Sequence, residues 1–394
     1  WGFTVVGDAG VVFGKQDAHG VKLRAARAAC ELPRFRRPFQ AVVKRRALCN
    51  SSAMGWKASL AALMFAATAA TAEVAHFPAL DGGEDRHLRL YSSLDVHLAL
   101  PLIEGFQRLH PDIAVSYDEL LTAPLADRVI EETDAGGPTA DLIFSSAMDL
   151  VVKLANDGYA RPAPVPEAAN WPRWANWRDM AFALTYEPGV LIYHKPSFPD
   201  GPPDTRAQLM DWLETAPKGK IGTYDVTQSG VGYLFFLRDL EHFADLWSLV
   251  GAMGEAGLRV FPTSQDIIAR VNSGDLLIGY NILGSYAADQ AAQMPNLGLT
   301  LPRDFVVVVS RVSMVPRAAA NPELGELFLS FLMSREGQTL LAEKLRLPAV
   351  SLEVSGSASA GAMNRVFGDR LRPVPVSPGL LVYLDQAKRA RVLA

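Results

Sequence analysis

Between residues 88 and 155 the chain alternates strand and helix three times, and this limits it to folds built on a parallel sheet with helical crossovers. Leu88-Arg-Leu-Tyr91 is a short strand, followed by Ser92-Ser93 and then by Leu98, Leu102, Ile103, Phe106 and Leu109 at helical spacing. Ile113 to Tyr117 is the next strand, and Leu125 to Glu132 a helix broken by Gly136-Gly137-Pro138. Asp141-Leu-Ile-Phe144 is the third strand; it runs into Ser145-Ser146 and a helix from Met148 to Ala155. The pattern then restarts with a helix at Leu209 to Leu213, a strand at Lys220 to Tyr224, a helix at Ser229 to Leu240, a helix capped by Ser264 and a strand at Leu276 to Tyr280. Two long extended runs, Ala181 to Lys195 and Phe305 to Val315, are placed to cross between the halves. The expected architecture is α/β, with two α/β lobes joined by two extended hinge crossings and a cleft between them.

Ahead of this region lies a different kind of segment. From Met54, one lysine, Lys57, precedes an apolar run from Ala58 to Ala67 and small residues ending Ala70-Thr71-Ala72. That is the order of a cleavable secretory signal, and the run is far short of the ~20 apolar residues a spanning helix needs. The mature chain is expected to begin near Glu73 and to work in the periplasm, with no membrane insertion after cleavage. Residues 1–53 are basic and lack a sustained period, so they read as upstream sequence translated from a wrong start. The expected organisation is thus an upstream segment at 1–53, a signal at 54–72 and the first part of lobe 1 at 73–184. Lobe 2 with the interlobe cleft follows at 185–311, the return to lobe 1 at 312–350, and a C-terminal helical segment packing on lobe 2 at 351–394.

Charge and cysteine content narrow the function. Of 38 basic and 42 acidic side chains, 11 and 3 precede residue 73, which leaves 27 and 39. A surface this acidic disfavours nucleic acid and anionic lipid. Both cysteines, Cys30 and Cys49, precede the cleavage point, so the mature chain has no disulfide, thiolate metal site or cysteine nucleophile. No nucleophile elbow, zinc-protease motif or phosphate loop occurs, and Asp95-x-His97 is the closest approach to a metal-ligand spacing. A monomeric binding protein without cofactor or metal is expected, not an enzyme.

The candidate site follows from where the hydroxyls fall. Ser92-Ser93 and Ser145-Ser146 each stand where a strand hands over to a helix, and Ser229-Gly230, with Asp225 and Thr227 just ahead, stands at a third such place. Helix N-termini present unpaired N–H groups and partial positive charge, so three of them facing one cleft suit a carboxylate, phosphonate or phosphate. Each serine taken singly also reads as a plain helix cap. Tyr280, Asn281, Ser285 and Tyr286 follow a buried strand and are expected at its cleft end. Arg303 and Arg311 flank the second crossing, where either can offer a bidentate fork to a carboxylate or form an ordinary ion pair.

Five blocks carry a family resemblance: Leu-Tyr-Ser-Ser at 90–93, Ala-Asp-Leu-Ile-Phe-Ser-Ser at 140–146, Gly-Val-Leu-Ile-Tyr at 189–193, Gly-Asp-Leu-Leu-Ile-Gly-Tyr-Asn at 274–281 and Phe-Leu-Ser-Phe-Leu-Met-Ser-Arg-Glu-Gly-Gln at 328–338. With them the chain resembles the extracytoplasmic solute-binding proteins of bacterial ABC importers, in the branch with ferric-ion-binding and phosphonate- or sugar-phosphate-binding members. The resemblance implies a type II periplasmic-binding fold that closes on a small, anionic organic solute and delivers it to a membrane permease and its ATPase. A ligand sensor feeding a membrane histidine kinase is the alternative, as is a protein for ferric ion or a ferric chelate. Ferric-binding members place a histidine, a glutamate and two adjacent tyrosines where this chain has Asp95, Ser146 and Ile282-Leu283. Those replacements remove most of the anionic oxygen donors that a hard ferric ion needs, so free Fe(III) is not expected to bind.

Overall fold

The computed structural model describes residues 73–83, 85–351, 353–354 and 359–393. The basic upstream stretch, the expected export signal at 54–72 and both cysteines lie outside these residues. Strands and helices alternate from the start: β1 (Glu73–Phe77), β2 (Arg86–Ser92), α1 (Val96–Leu109), β3 (Ile113–Glu119), α2 (Thr122–Asp134), β4 (Leu142–Ser145), α3 (Met148–Asn156) and the short β5 (Ala160–Arg161), β6 (Asn176–Trp177) and β7 (Ala181–Ala183). The chain then leaves this sheet and builds a second from β8 (Glu187–His194), α4 (Arg206–Thr215), β9 (Ile221–Tyr224), α5 (Gly230–His242), α6 (Leu246–Glu255), β10 (Arg259–Phe261), α7 (Ser264–Asn272), β11 (Ile278–Leu283), α8 (Gly284–Ala291), β12 (Leu297–Thr300) and β13 (Val306–Val309). It returns through β14 (Val312–Pro316), α9 (Pro322–Met333) and α10 (Arg335–Glu343), and ends with α11 (Ala360–Phe367), β15 (Leu371–Pro373) and α12 (Gln386–Leu393).

The two sheets share one plan. The first runs β1-β3-β2-β4-β14-β7-β6 with β5 beside β14, and the second β10-β9-β11-β8-β13-β15 with β12 beside β8. In the first, β2 pairs parallel with β3 and β4; in the second, β9 pairs parallel with β10 and β11. In each, the strand arriving from the other lobe, β14 or β8, runs antiparallel to the third strand of the parallel set. This arrangement belongs to the type II periplasmic-binding fold. All residues of β4, β13 and β14 are buried, as are the first six of β8. Continuous apolar runs such as Val306-Val-Val-Val309 therefore mark strands covered on both faces.

Three expectations shift. The strand placed at Leu276 to Tyr280 begins at Ile278 and continues to Leu283, with a register shift between Gly279 and Ile282 and Asn281 in the left-handed region at φ 54°. The cap of α7 is Thr263, whose side chain accepts from the Asp266 N–H, one residue before the expected Ser264. The segment after residue 350, expected to be helical and on lobe 2, contributes β15 to the second sheet, while its 3₁₀ stretch Pro378–Leu384 packs against α3 of the first lobe. Among the described residues no helix is long and apolar enough to cross a membrane.

Candidate functional site

The carboxyl ends of β2, β4, β9 and β11 face the gap between the lobes, the usual ligand position in open α/β sheets. A cavity of about 190 Å³ lies there. Six helices have a residue at or beside their N-terminus on its wall: Asp95 for α1, Thr122 for α2, Ser146 for α3, Gly230 for α5, Ser264 for α7 and Leu283 for α8. Helix starts converging in this way surround the space with backbone dipoles of one sign, which favours an acid group.

The hydroxyl pairs divide their work. Ser93 and Ser146 line the cavity, and the Ser93 hydroxyl accepts from the Ser146 N–H at 3.0 Å with the two Oγ atoms 3.3 Å apart. Ser92 and Ser145 are buried beneath them. Ser92 donates to the Phe144 carbonyl at 2.9 Å and accepts from the Leu94 N–H at 3.1 Å, and Ser145 accepts from the Ala147 N–H at 3.2 Å. In the second lobe Ser229 caps α5 by accepting from the Gly232 N–H at 3.1 Å, and with Gly230 it reaches the cavity. Asp225 and Thr227 stay outside it. Asp225 accepts from the Thr227 hydroxyl at 2.6 Å and from Gln228 at 2.5 Å, and the Thr227 bond leads in holding its carboxyl below the ordinary value.

Arg311 is the cation of the floor. It belongs to the return crossing, is fully buried, and lies on the cavity wall. Its Nε sits 3.4 Å from Glu187 Oε1, too poorly aligned for a hydrogen bond, and its Nη2 has no partner. Glu187 in turn accepts from Thr185 at 2.7 Å and from the Ser285 hydroxyl, so Ser285 supports the floor from behind and does not line the cavity. Burial works against the Arg311 charge, yet Glu187 and the phenols of Tyr286 and Tyr117 hold its pKa above the usual value. The guanidinium carbon lies 5.6 Å from the Tyr286 ring centre. Arg303 forms a surface pair with Asp204 at 2.7 Å.

Asp95 ties the lobes together. Its carboxylate accepts from Tyr286 at 2.8 Å and from the Gln265 amide, both across the cleft. Tyr280 and Asn281, expected in the cleft, turn the other way. A regular strand sends consecutive side chains to opposite faces, but the bulge at Gly279 to Ile282 lets both reach one carboxylate, Asp239, at 2.5 and 2.6 Å. Arg206 completes this buried cluster, bonding Tyr280 and Asp239 at 2.8 Å each and Asp304 at 2.9 Å. Burial, with Asp239 adding to it, raises the Tyr280 phenol well above its ordinary value. Glu119, Thr122, Tyr224 and the Thr263-Ser264-Gln265 start of α7 also line the cavity and were not expected there. For Thr122, Thr263 and Ser264 the signal in the sequence is the hydroxyl at a helix start, which carries no mark of a cavity.

Residues 102–362 match the family described as bacterial extracellular solute-binding protein. The chain belongs to that family. No curated protein matches it. Among solved structures, the substrate-binding protein of an ABC transporter from Agrobacterium tumefaciens is 56% identical with a TM-score of 0.79, covering 82% of this chain and 96% of that one. AfuA from Actinobacillus pleuropneumoniae with fructose-6-phosphate bound is 14% identical with a TM-score of 0.66, over 79% and 97% of the two chains. Iron-bound HitA from Pseudomonas aeruginosa is 17% identical with a TM-score of 0.63, over 78% and 98%. The last two share the fold with this extracellular solute-binding protein. Of Asp95, Ser146 and Ile282-Leu283, the positions expected to correspond to ferric ligands, only Asp95 is anionic, and Ile282 and Leu283 are buried and apolar.

Proposed function

We propose that this protein is the periplasmic solute-capturing component of an ABC importer, closing its lobes on a small organic solute through an acid group and presenting it to an inner-membrane permease and its ATPase. The observation that carries the reading is Arg311, which is fully buried in the crossing between lobes, lacks a hydrogen-bond partner at Nη2 and belongs to the wall of a cavity ringed by helix N-termini. A buried cation without a hydrogen-bond partner at every N–H is costly unless a ligand supplies the acceptor. A carboxylate or phosphonate oxygen does so, and the Ser93, Ser146 and Ser229 hydroxyls are placed around the same space. The 56% identity to an ABC transporter substrate-binding protein supports the importer assignment. The two crossings act as the hinge, and the signal at 54–72 directs export.

Native mass spectrometry of protein purified without refolding tests the reading by the mass it retains. The expected solute carries an acid group, and Arg311→Met, which keeps the buried volume but no charge, is expected to lose it. A retained solute with no acid group, or equal retention by Arg311→Met, would overturn the assignment.

A further inference from the structure

Tyr280 and Asn281 have no part in the cleft, yet both line a second cavity, of about 160 Å³, in the second lobe. Tyr224 is the one described residue common to the two walls, so the spaces are distinct. Helix α6 contributes Leu246, Leu249, Val250 and Met253, whose spacing puts them on one helix face, and α5 adds Phe235 and Phe236. Native interiors keep few voids larger than a water molecule. Water settles in such a space only where several polar groups can bond it, and these walls are mostly hydrocarbon and ring. What fits is an apolar molecule, and the volume is close to the ~150 Å³ that takes up benzene. Val260, on the same wall, is 51% exposed, so the cavity reaches the protein surface there.

One amide gives the cavity a polar end. Asn281 is 4% exposed, and its Nδ2 donates to Asp239 Oδ2 at 2.6 Å, which fixes the edge of the amide that faces that carboxyl. Oδ1 is the other edge and has no hydrogen-bond partner among the described residues. Tyr280 and Asp239, on the same wall, are already engaged: the Tyr280 hydroxyl donates to Asp239 and accepts from Arg206, which also bonds Asp239. An amide oxygen on a wall this apolar recovers a hydrogen bond only from a donor that the occupant brings. We propose that this cavity is a second binding site, independent of the cleft, for a small aromatic molecule with one hydrogen-bond donor. Its ring lies among the α5 and α6 side chains, where Phe235, Phe236 and the thioether of Met253 offer ring and sulfur contacts, and its donor bonds Asn281 Oδ1.

Phenol and toluene, equal in size and differing in the donor, test the proposal by calorimetry on the full chain. Phenol is expected to bind tenfold or more tightly than toluene, whereas a cavity without an open acceptor favours toluene. Methyl resonances of the methionines locate the bound ring in the same protein. Phenol is expected to shift the Met253 methyl signal, assigned with Met253→Leu, and to leave that of Met148 in the first lobe in place. Val250→Phe fills the space from α6. It is expected to weaken phenol binding tenfold or more, with the melting behaviour and the solute retained in the cleft unchanged. No binding of phenol at millimolar concentration, toluene binding as tightly as phenol, or a Met253 signal that phenol does not move overturns the proposal, whether or not Val250→Phe folds. Undiminished phenol binding in folded Val250→Phe overturns it as well.

Discussion

At the scale of single residues, Ser93 does two jobs that a substitution can separate. Its hydroxyl accepts from the Ser146 N–H at 3.0 Å and faces the cavity, so Ser93→Ala removes both a structural acceptor and a ligand donor. The expected loss is about 0.5–1.5 kcal/mol of affinity and ~1 kcal/mol of stability. Ser93→Asp or Ser146→Asp sets a like charge against the acid group and is expected to cost about 2–5 kcal/mol of binding. Calorimetry with a thermal melt as control checks this, and unchanged affinity in both aspartate variants would make these serines caps and nothing more. Asp149, in the first turn of α3, gives a pH signature independent of the site. It is buried, and burial pushes its carboxyl up to about 6 against the partial opposition of the Leu150 N–H bond and, less, of Arg389. Its folded form holds a proton that the unfolded chain, near 3.8, gives up earlier. The stability it contributes is therefore complete below pH 3.8 and is lost as pH rises through about 6. At 1.36 kcal/mol for each pKa unit this is on the order of 3 kcal/mol. Asp149→Asn is expected to flatten the fall in chemical-denaturation stability between pH 4 and 7, and an unaltered slope would assign that fall to other groups.

At the scale of elements, β11 shows where local pattern stops informing. The alternation of strands and helices, both crossings and the serine-bearing helix starts follow from apolar spacing and turn residues, because a strand end that feeds a helix must supply a cap. The direction of Tyr280 and Asn281 does not follow. It depends on a bulge whose left-handed Asn281 is held by Asp239 from α5, forty-two positions earlier, and spacing within a strand carries no trace of that partner. Arg311 was legible as a candidate because it sits in a crossing, while its unpartnered Nη2 depends on Glu187 and Tyr286 arriving from elsewhere. The buried Arg206, Asp239 and Tyr280 cluster joins α4, α5 and β11, and none of the three lines the cavity that Arg311 lines. Removing one partner of a buried pair leaves the other charge stranded, so Asp239→Ala is expected to destabilise by about 3–5 kcal/mol. Affinity for solute per folded molecule should change little. A large affinity loss with normal stability would place this cluster in the binding machinery after all.

At the scale of the whole molecule, the lobes meet closely where α5 begins. A Cβ on Gly230 would lie 3.4 Å from the Thr122 hydroxyl and 3.5 Å from the Ala147 Cβ, both in the opposite lobe. Alanine fits in that space at ordinary contact distance, and a longer side chain must hold the lobes apart. Gly230→Leu is expected to keep the melting behaviour of the unliganded protein, to weaken solute binding tenfold or more, and to abolish the reduction in radius of gyration that solute produces in X-ray scattering. Full compaction in that variant would show that α5 does not limit closure. The far end of the chain acts on the molecule's dealings with its own copies. Without β15, the four-valine strand β13 would stand at the margin of the second sheet with its N–H and C=O groups open to any passing strand. β15 takes up that margin, and its sequence Leu371-Arg372-Pro373 is short, charged and closed by a residue with no N–H to donate. Each of those properties discourages a further strand from adding. The last strand is thus a terminator, ending the sheet in a form that gives self-association little to build on.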